Sequence, residues 1–229
     1  MKINYSGSII NSKVELAHLK NAIDAATAAS LSLGFDTIDS NEFLTKYDAF
    51  IVTDAVYYQA RKDAQMYNQQ KVKHYVELRK VCWEIAKFLR IKYSDNTKKL
   101  GLWGITLVYG KEGVVRIDGK YAAIESLTTQ ILAKDTADAA NSLITSFNTA
   151  HIQAVLSDYQ TANTNFEAEQ VKWRSLSVSR RGLLLELKSM QRKIAQEMLS
   201  TPNFNPRLLE DWGYTITEFH ETKTLPNAA

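Results

Sequence analysis

Leu100-Gly101-Leu102-Trp103-Gly104-Ile105-Thr106-Leu107 returns 109 residues later as Leu209-Glu210-Asp211-Trp212-Gly213-Tyr214-Thr215-Ile216. Followed backwards from the Trp-Gly pair, the match continues without a gap, and residues 76–107 laid on 185–216 share nine of 32 positions. The shared residues are of a packing kind: Leu78/Leu187, Ile85/Ile194, Ala86/Ala195, Leu100/Leu209, Trp103/Trp212 and Gly104/Gly213, with Thr106/Thr215 in the following stretch. Other positions keep their character, as Arg79/Lys188 and Leu89/Met198 do. A repeated period speaks of architecture before it speaks of chemistry. It predicts a mainly α fold, an internally duplicated helical bundle of two tandem helix-helix-helix-strand units, with a small β element at the Trp-Gly segments. The first unit is expected over 1–118, ending in a β-hairpin, and the second over 119–229, ending in a short tail.

Outward from the repeat, the breakers are scarce. All three prolines (Pro202, Pro206, Pro226) lie in the last 28 residues, which leaves the rest open to long helices. Val14, Leu16, Leu19, Ile23 and Ala26 mark a helical face over about 12–33, with Gly34 as its stop. Asp39 and Ser40 read as an N-cap, and Phe43, Tyr47, Phe50, Asp54 and Tyr57 follow at steps of four and three. Tyr75, Leu78, Cys82, Ile85 and Leu89 resume that rhythm. Between them the stripe fades to Arg61, Ala64, Asn68 and Lys71, and a turn near Tyr67–Gln70 is favoured over one helix of more than 50 residues.

The second half repeats the scheme. One helix is expected over about 120–144, and a second is capped by Asn148 and carries Ile152, Leu156, Tyr159, Phe166 and Trp173. A third carries Leu183, Leu187, Met190, Ile194 and Met198, with Gly182 as its weak point. Residues 105–109 and 114–117 flank a glycine-containing turn and predict a hairpin; 2–5 and 214–219 read as further strands.

The composition is that of a globular protein: 45% hydrophobic and 23% charged over 229 residues, with one cysteine. A lone Cys builds neither a disulfide framework nor a metal cluster. The N-terminus lacks the long apolar core of a signal peptide and no stretch nears 18 apolar residues, so a cytoplasmic protein with no transmembrane segment is expected.

Chemistry-bearing residues are sparse. His18, His74, His151 and His220 stand at no metal-ligand spacing, and no phosphate-binding glycine loop is present. Cys82 falls on an apolar stripe, the place of a small hydrophobe rather than a nucleophile. Trp103 and Trp212 are expected to plug equivalent sites, each followed by a glycine that frees the turn. No cofactor, metal or catalytic group is indicated.

Charge is the more informative property. A net +3 conceals a local +6 over 71–99 and another +6 over 172–193, while the remaining segments are all acidic. Lys71, Lys73, Arg79 and Lys80 in the first segment, with Lys172, Arg174, Arg180 and Arg181 in the second, are the candidate interaction residues. Complementarity to acidic protein surface and binding to nucleic acid both fit such segregation. The absence of any recognition-helix module or stacking platform favours protein. Eleven Tyr and four Trp spread along helices suit an interface.

The expected function is therefore a non-enzymatic structural protein. It would be a building block or adaptor of a larger oligomeric particle such as a virion, a tail-like injection machine or a filament. Its partners would be copies of itself or other assembly proteins. The alternative is a nucleic-acid-binding accessory protein using the two basic segments.

Overall fold

A computed structural model describes residues 3–4, 9–29, 39–107, 115–202 and 204–216. The chain is mainly helical. Its elements are β1 (Ile3–Asn4), α1 (Ile9–Ala28), α2 (Ser40–Lys92), a 3-10 segment (Thr97–Trp103), β2 (Thr106–Leu107), β3 (Val115–Arg116), α3 (Tyr121–Asp138), a 3-10 turn (Ala139–Asn141), α4 (Thr149–Ser200), α5 (Leu208–Asp211) and β4 (Thr215–Ile216).

Two compact helical units form, one from Met1–Tyr57 with Arg174–Ala229 and one from Tyr58–Trp173. The halves 1–118 and 119–229 thus each supply a piece to both units. In the first unit α1 buries Leu16, Leu19 and Ile23 at steps of three and four, one face of a helix. They share a core with Phe43 and Phe50 of α2 and with Leu187, Ile194 and Met198 of α4. Leu209 and Tyr214 close it, the Tyr214 hydroxyl donating to the Gln191 carbonyl at 2.7 Å. β1 runs antiparallel to β4, with Ile3 opposite Ile216.

The second unit has its own core. Leu78, Ile85 and Leu89 of α2 meet Ile124, Leu127 and Ile131 of α3 and Ile152, Leu156 and Tyr159 of α4. Leu100 and Trp103 join from the 3-10 segment. β2 and β3 pair antiparallel, Thr106 opposite Arg116. Residues 108–114, the turn of the expected hairpin, lie outside the described residues, as do 2, 5 and 217–219 of the expected strands.

The favoured turn at 67–70 is absent: α2 is one helix of 53 residues. Hydrophobic periodicity reports which face is buried, not whether the backbone turns. Here the buried residues shrink to Ala60 and Ala64, so the apolar signal fades while Ala, Gln, Lys, Arg and Met keep the helix favourable. α4 likewise runs unbroken for 52 residues through Gly182, around which an added Cβ would meet nothing within 4 Å. A solvent-facing glycine costs a helix about 1 kcal/mol and does not end it.

Other bounds shift by a few residues. α1 starts at Ile9 and stops at Ala28, ahead of Gly34, which lies outside the described residues. α3 ends at Asp138 rather than near 144, because Ala139 takes φ 44° and the Ser142 hydroxyl turns back to the Asp135 carboxylate. The N-terminal signals act as expected: Asp39 accepts from the Asn41 amide at 2.8 Å and Asn148 from the His151 amide at 3.0 Å.

Continuity of α2 has a measurable consequence. Gln69 is exposed at mid-helix, so Gln69→Pro removes one backbone hydrogen bond and adds a steric clash without touching a core. A loss of ~3 kcal/mol in urea unfolding is expected. A change near zero would mean that the chain turns at this point.

Candidate interaction faces and a buried charge network

Both Trp-Gly segments pack against a core. Trp103 is fully buried and its indole N–H points to the Tyr93 hydroxyl, 3.4 Å away. Gly104 follows at φ 73° and Gly213 at φ 83°, both in the left-handed region that a side chain disfavours. At Gly213 space is also lacking, since a Cβ would collide with His18 and stand 3.1 Å from the Glu15 carbonyl. Leu100 and Leu209 are buried, whereas Thr106 and Thr215 face outward from their strands. The two tryptophans differ: Trp212 packs against its core only half-buried.

Cys82 is placed as a packing group and His151 as a surface group. Cys82 is buried with its Sγ 3.3 Å from the Thr128 hydroxyl. That hydroxyl already donates to the Ile124 carbonyl at 2.7 Å, which leaves the thiol as donor. Burial pushes the Cys82 thiol above its ordinary pKa, away from the reactive thiolate. His151 is exposed, 2.8 Å from the Glu77 carboxylate. Among the described residues no three His, Cys, Asp or Glu side chains gather as metal ligands would.

The basic positions divide into two kinds. Arg180 turns inward in the first unit, 8% exposed, with Nη1 3.1 Å from Asp54 Oδ1. Lys13 of α1 reaches the other Asp54 oxygen at 2.6 Å, so one buried carboxylate serves two cations. The Arg180 guanidinium also lies 3.8 Å from the Tyr57 ring centroid. In the second unit Lys71 does the same, 4.2 Å from the Phe166 ring and 5.2 Å from Tyr121. Lys71 and Arg180 are 109 residues apart, and so are Tyr57 and Phe166. Each such contact contributes ~0.5–2 kcal/mol, the larger figure where water is excluded.

No family model, curated protein or solved structure matches this chain.

The other six positions face solvent. Lys73, Arg79 and Lys80 are exposed on α2; Lys172, Arg174 and Arg181 are exposed on α4. Lys172 also pairs with Glu169 of its own helix at 3.2 Å. These six, and not Arg180, can meet an anionic partner. A shallow groove of about 270 Å³ in the second unit, where Arg61 and Gln65 of α2 meet Phe166 and Trp173 of α4, has no counterpart in the sequence reading. Its residues are scattered over more than 100 positions and carry no spacing signal. The Asp54 network did have one: an acid on an otherwise apolar stripe requires a buried partner.

Asp54→Ala removes the carboxylate that pairs with Arg180 and Lys13, and a loss of ~3–5 kcal/mol in urea unfolding is expected. Asp54→Leu combined with Arg180→Met should recover most of it, since an apolar pair removes both desolvation costs. Equal stability of Asp54→Ala and the native chain would show that the network is solvated.

Proposed function

We propose that this chain is a non-enzymatic assembly protein, a helical building block or adaptor. It would work by pairing with copies of itself or with other proteins in a larger particle, such as a virion, a tail-like injection machine or a filament. The carrying observation is the surface of the long helices. Large aliphatic side chains stand in solvent at Ile10 on α1, at Val52 and Ile91 on α2, and at Val178 and Leu185 on α4. Covering such residues is a gain available to a subunit contact. Cytoplasmic assembly without a cofactor belongs to the same proposal.

Duplication belongs to it too. At an offset of 109, Phe43/Ile152, Phe50/Tyr159, Leu78/Leu187, Ile85/Ile194 and Leu100/Leu209 are buried in both copies. Gly104 and Gly213 share a left-handed turn, and the cation-over-ring pairs coincide. On this reading each compact unit joins the front of one repeat to the back of the other. What is repeated is packing, which suits a building block.

Nucleic acid is the second candidate partner, because six of the eight basic positions are exposed. Light scattering after size exclusion, across protein concentration and salt, separates the two. An assembling protein gives masses that are multiples of 25.9 kDa and fall as salt screens the contacts. A strict monomer under all conditions overturns self-assembly, and a monomer that binds duplex DNA at low salt puts nucleic acid first.

A further inference from the structure

The exposed face of α4 in the first unit carries a two-part pattern. Arg174, Val178, Arg181 and Leu185 stand at steps of four, three and four, the spacing of one helix face. Val178 is 74% and Leu185 59% exposed, and both arginines face solvent. At about 100° per residue, no acid falls within roughly 60° of the line through Leu185 between residues 170 and 200. Glu186, the acid nearest in sequence, is turned aside and pairs with Lys46 at 2.5 Å.

The second unit carries the same pattern on α2. Lys73, Val76, Lys80 and Lys87 are exposed along one face, Val76 by 57%. Between residues 65 and 91 no acid falls within roughly 60° of the line through Val76. Val76 and Leu185 are 109 residues apart, so both faces occupy the same place in the repeat. This is the pattern of one flank of a helix-helix seam, with an aliphatic line and cations beside it.

The geometry points to docking sites for an acidic amphipathic helix, one in each unit: the face of α4 centred on Val178 and Leu185 takes a helix that brings aliphatic residues to the centre and carboxylates to Arg174 and Arg181, and its α2 counterpart centred on Val76 takes one with carboxylates at Lys73 and Lys80. A phosphate backbone satisfies the cations and leaves the aliphatic line wet, which is why a helix is favoured over nucleic acid. The inference rests on the assembly reading and gives its partner a chemistry.

The test uses the full chain and a labelled synthetic helix of about four heptads with Leu and Ile at the seam and Glu beside it. The controls are the same helix with Lys for Glu, and duplex DNA. Fluorescence anisotropy should show saturable binding of the acidic helix that weakens with salt, and none of the basic one. Arg174→Glu with Arg181→Glu, or Lys73→Glu with Lys80→Glu, should leave one helix bound per chain instead of two, and the four changes together should weaken binding at least about tenfold. Val178→Ser with Leu185→Ser should likewise reduce the helices bound per chain from two to one and leave any DNA binding unchanged. All six positions are exposed, so the circular dichroism signal and urea midpoint of each variant should match the native chain. Failure to bind the acidic helix overturns the inference. So does binding that ignores the serine variants, or a DNA affinity that displaces the helix, which makes the face a nucleic-acid surface. A chain that assembles yet ignores the helix loses this inference alone. A chain that binds the helix while strictly monomeric keeps it and loses self-assembly.

Discussion

Both cores depend on a buried stripe along α2, which is interrupted between Ala64 and Tyr75. Phe43, Tyr47, Phe50, Asp54, Tyr57, Ala60 and Ala64 lie on it, and Tyr75, Leu78, Cys82, Ile85 and Leu89 continue it. Within each run the steps are three or four, close to the 3.6-residue turn, so each run keeps to one side of the helix. One helix thus serves one core with its first part and another with the rest. α4 follows the same rule, with Ile152, Leu156, Tyr159 and Ala162 in one core region and Leu187, Gln191, Ile194 and Met198 in the other. Bulky residues gather toward the ends of this face and alanines occupy part of its middle.

Where the face of α2 admits a carboxylate, both of its oxygens are paired. A bare buried carboxylate is costly, and Asp54 is held by both Arg180 and Lys13. Arg180 also covers an aromatic ring, as Lys71 does in the other unit. These two cations are taken out of the surface charge. The cations left outside are concentrated on the solvent faces of the same helices, beside exposed valine, isoleucine and leucine. Such a surface presents cations and aliphatic side chains to solvent side by side.

The legibility of each feature followed from how local its cause is. Caps at Asp39 and Asn148 were readable because one side chain reaches a backbone amide two or three residues on. Cys82 was readable as a packing residue because its neighbours at four and three residues are Leu78 and Ile85. The continuity of α2 was not, since Ala60 and Ala64 are too small to sustain a hydrophobic signal although they are buried. The basic segments showed where charge lies but not which cations are spent. Arg180 and Arg181 are adjacent in sequence, and 100° of helix rotation separates a buried ion pair from an exposed guanidinium.

The sequence by itself determined the helical class, the repeat of Trp103-Gly104 in Trp212-Gly213, the stripes and their caps, because each rests on residues within a few turns of one another. Tertiary structure alone decided that the two cores are assembled from pieces of both halves, with Leu16 beside Leu187 and Ile85 beside Ile124 in their respective units. It alone decided that Asp54 answers to Arg180 across 126 positions. An apolar stripe states that a face must be buried and leaves its partner open; that choice belongs to the packing of the folded chain, where each stripe meets the one that excludes water best.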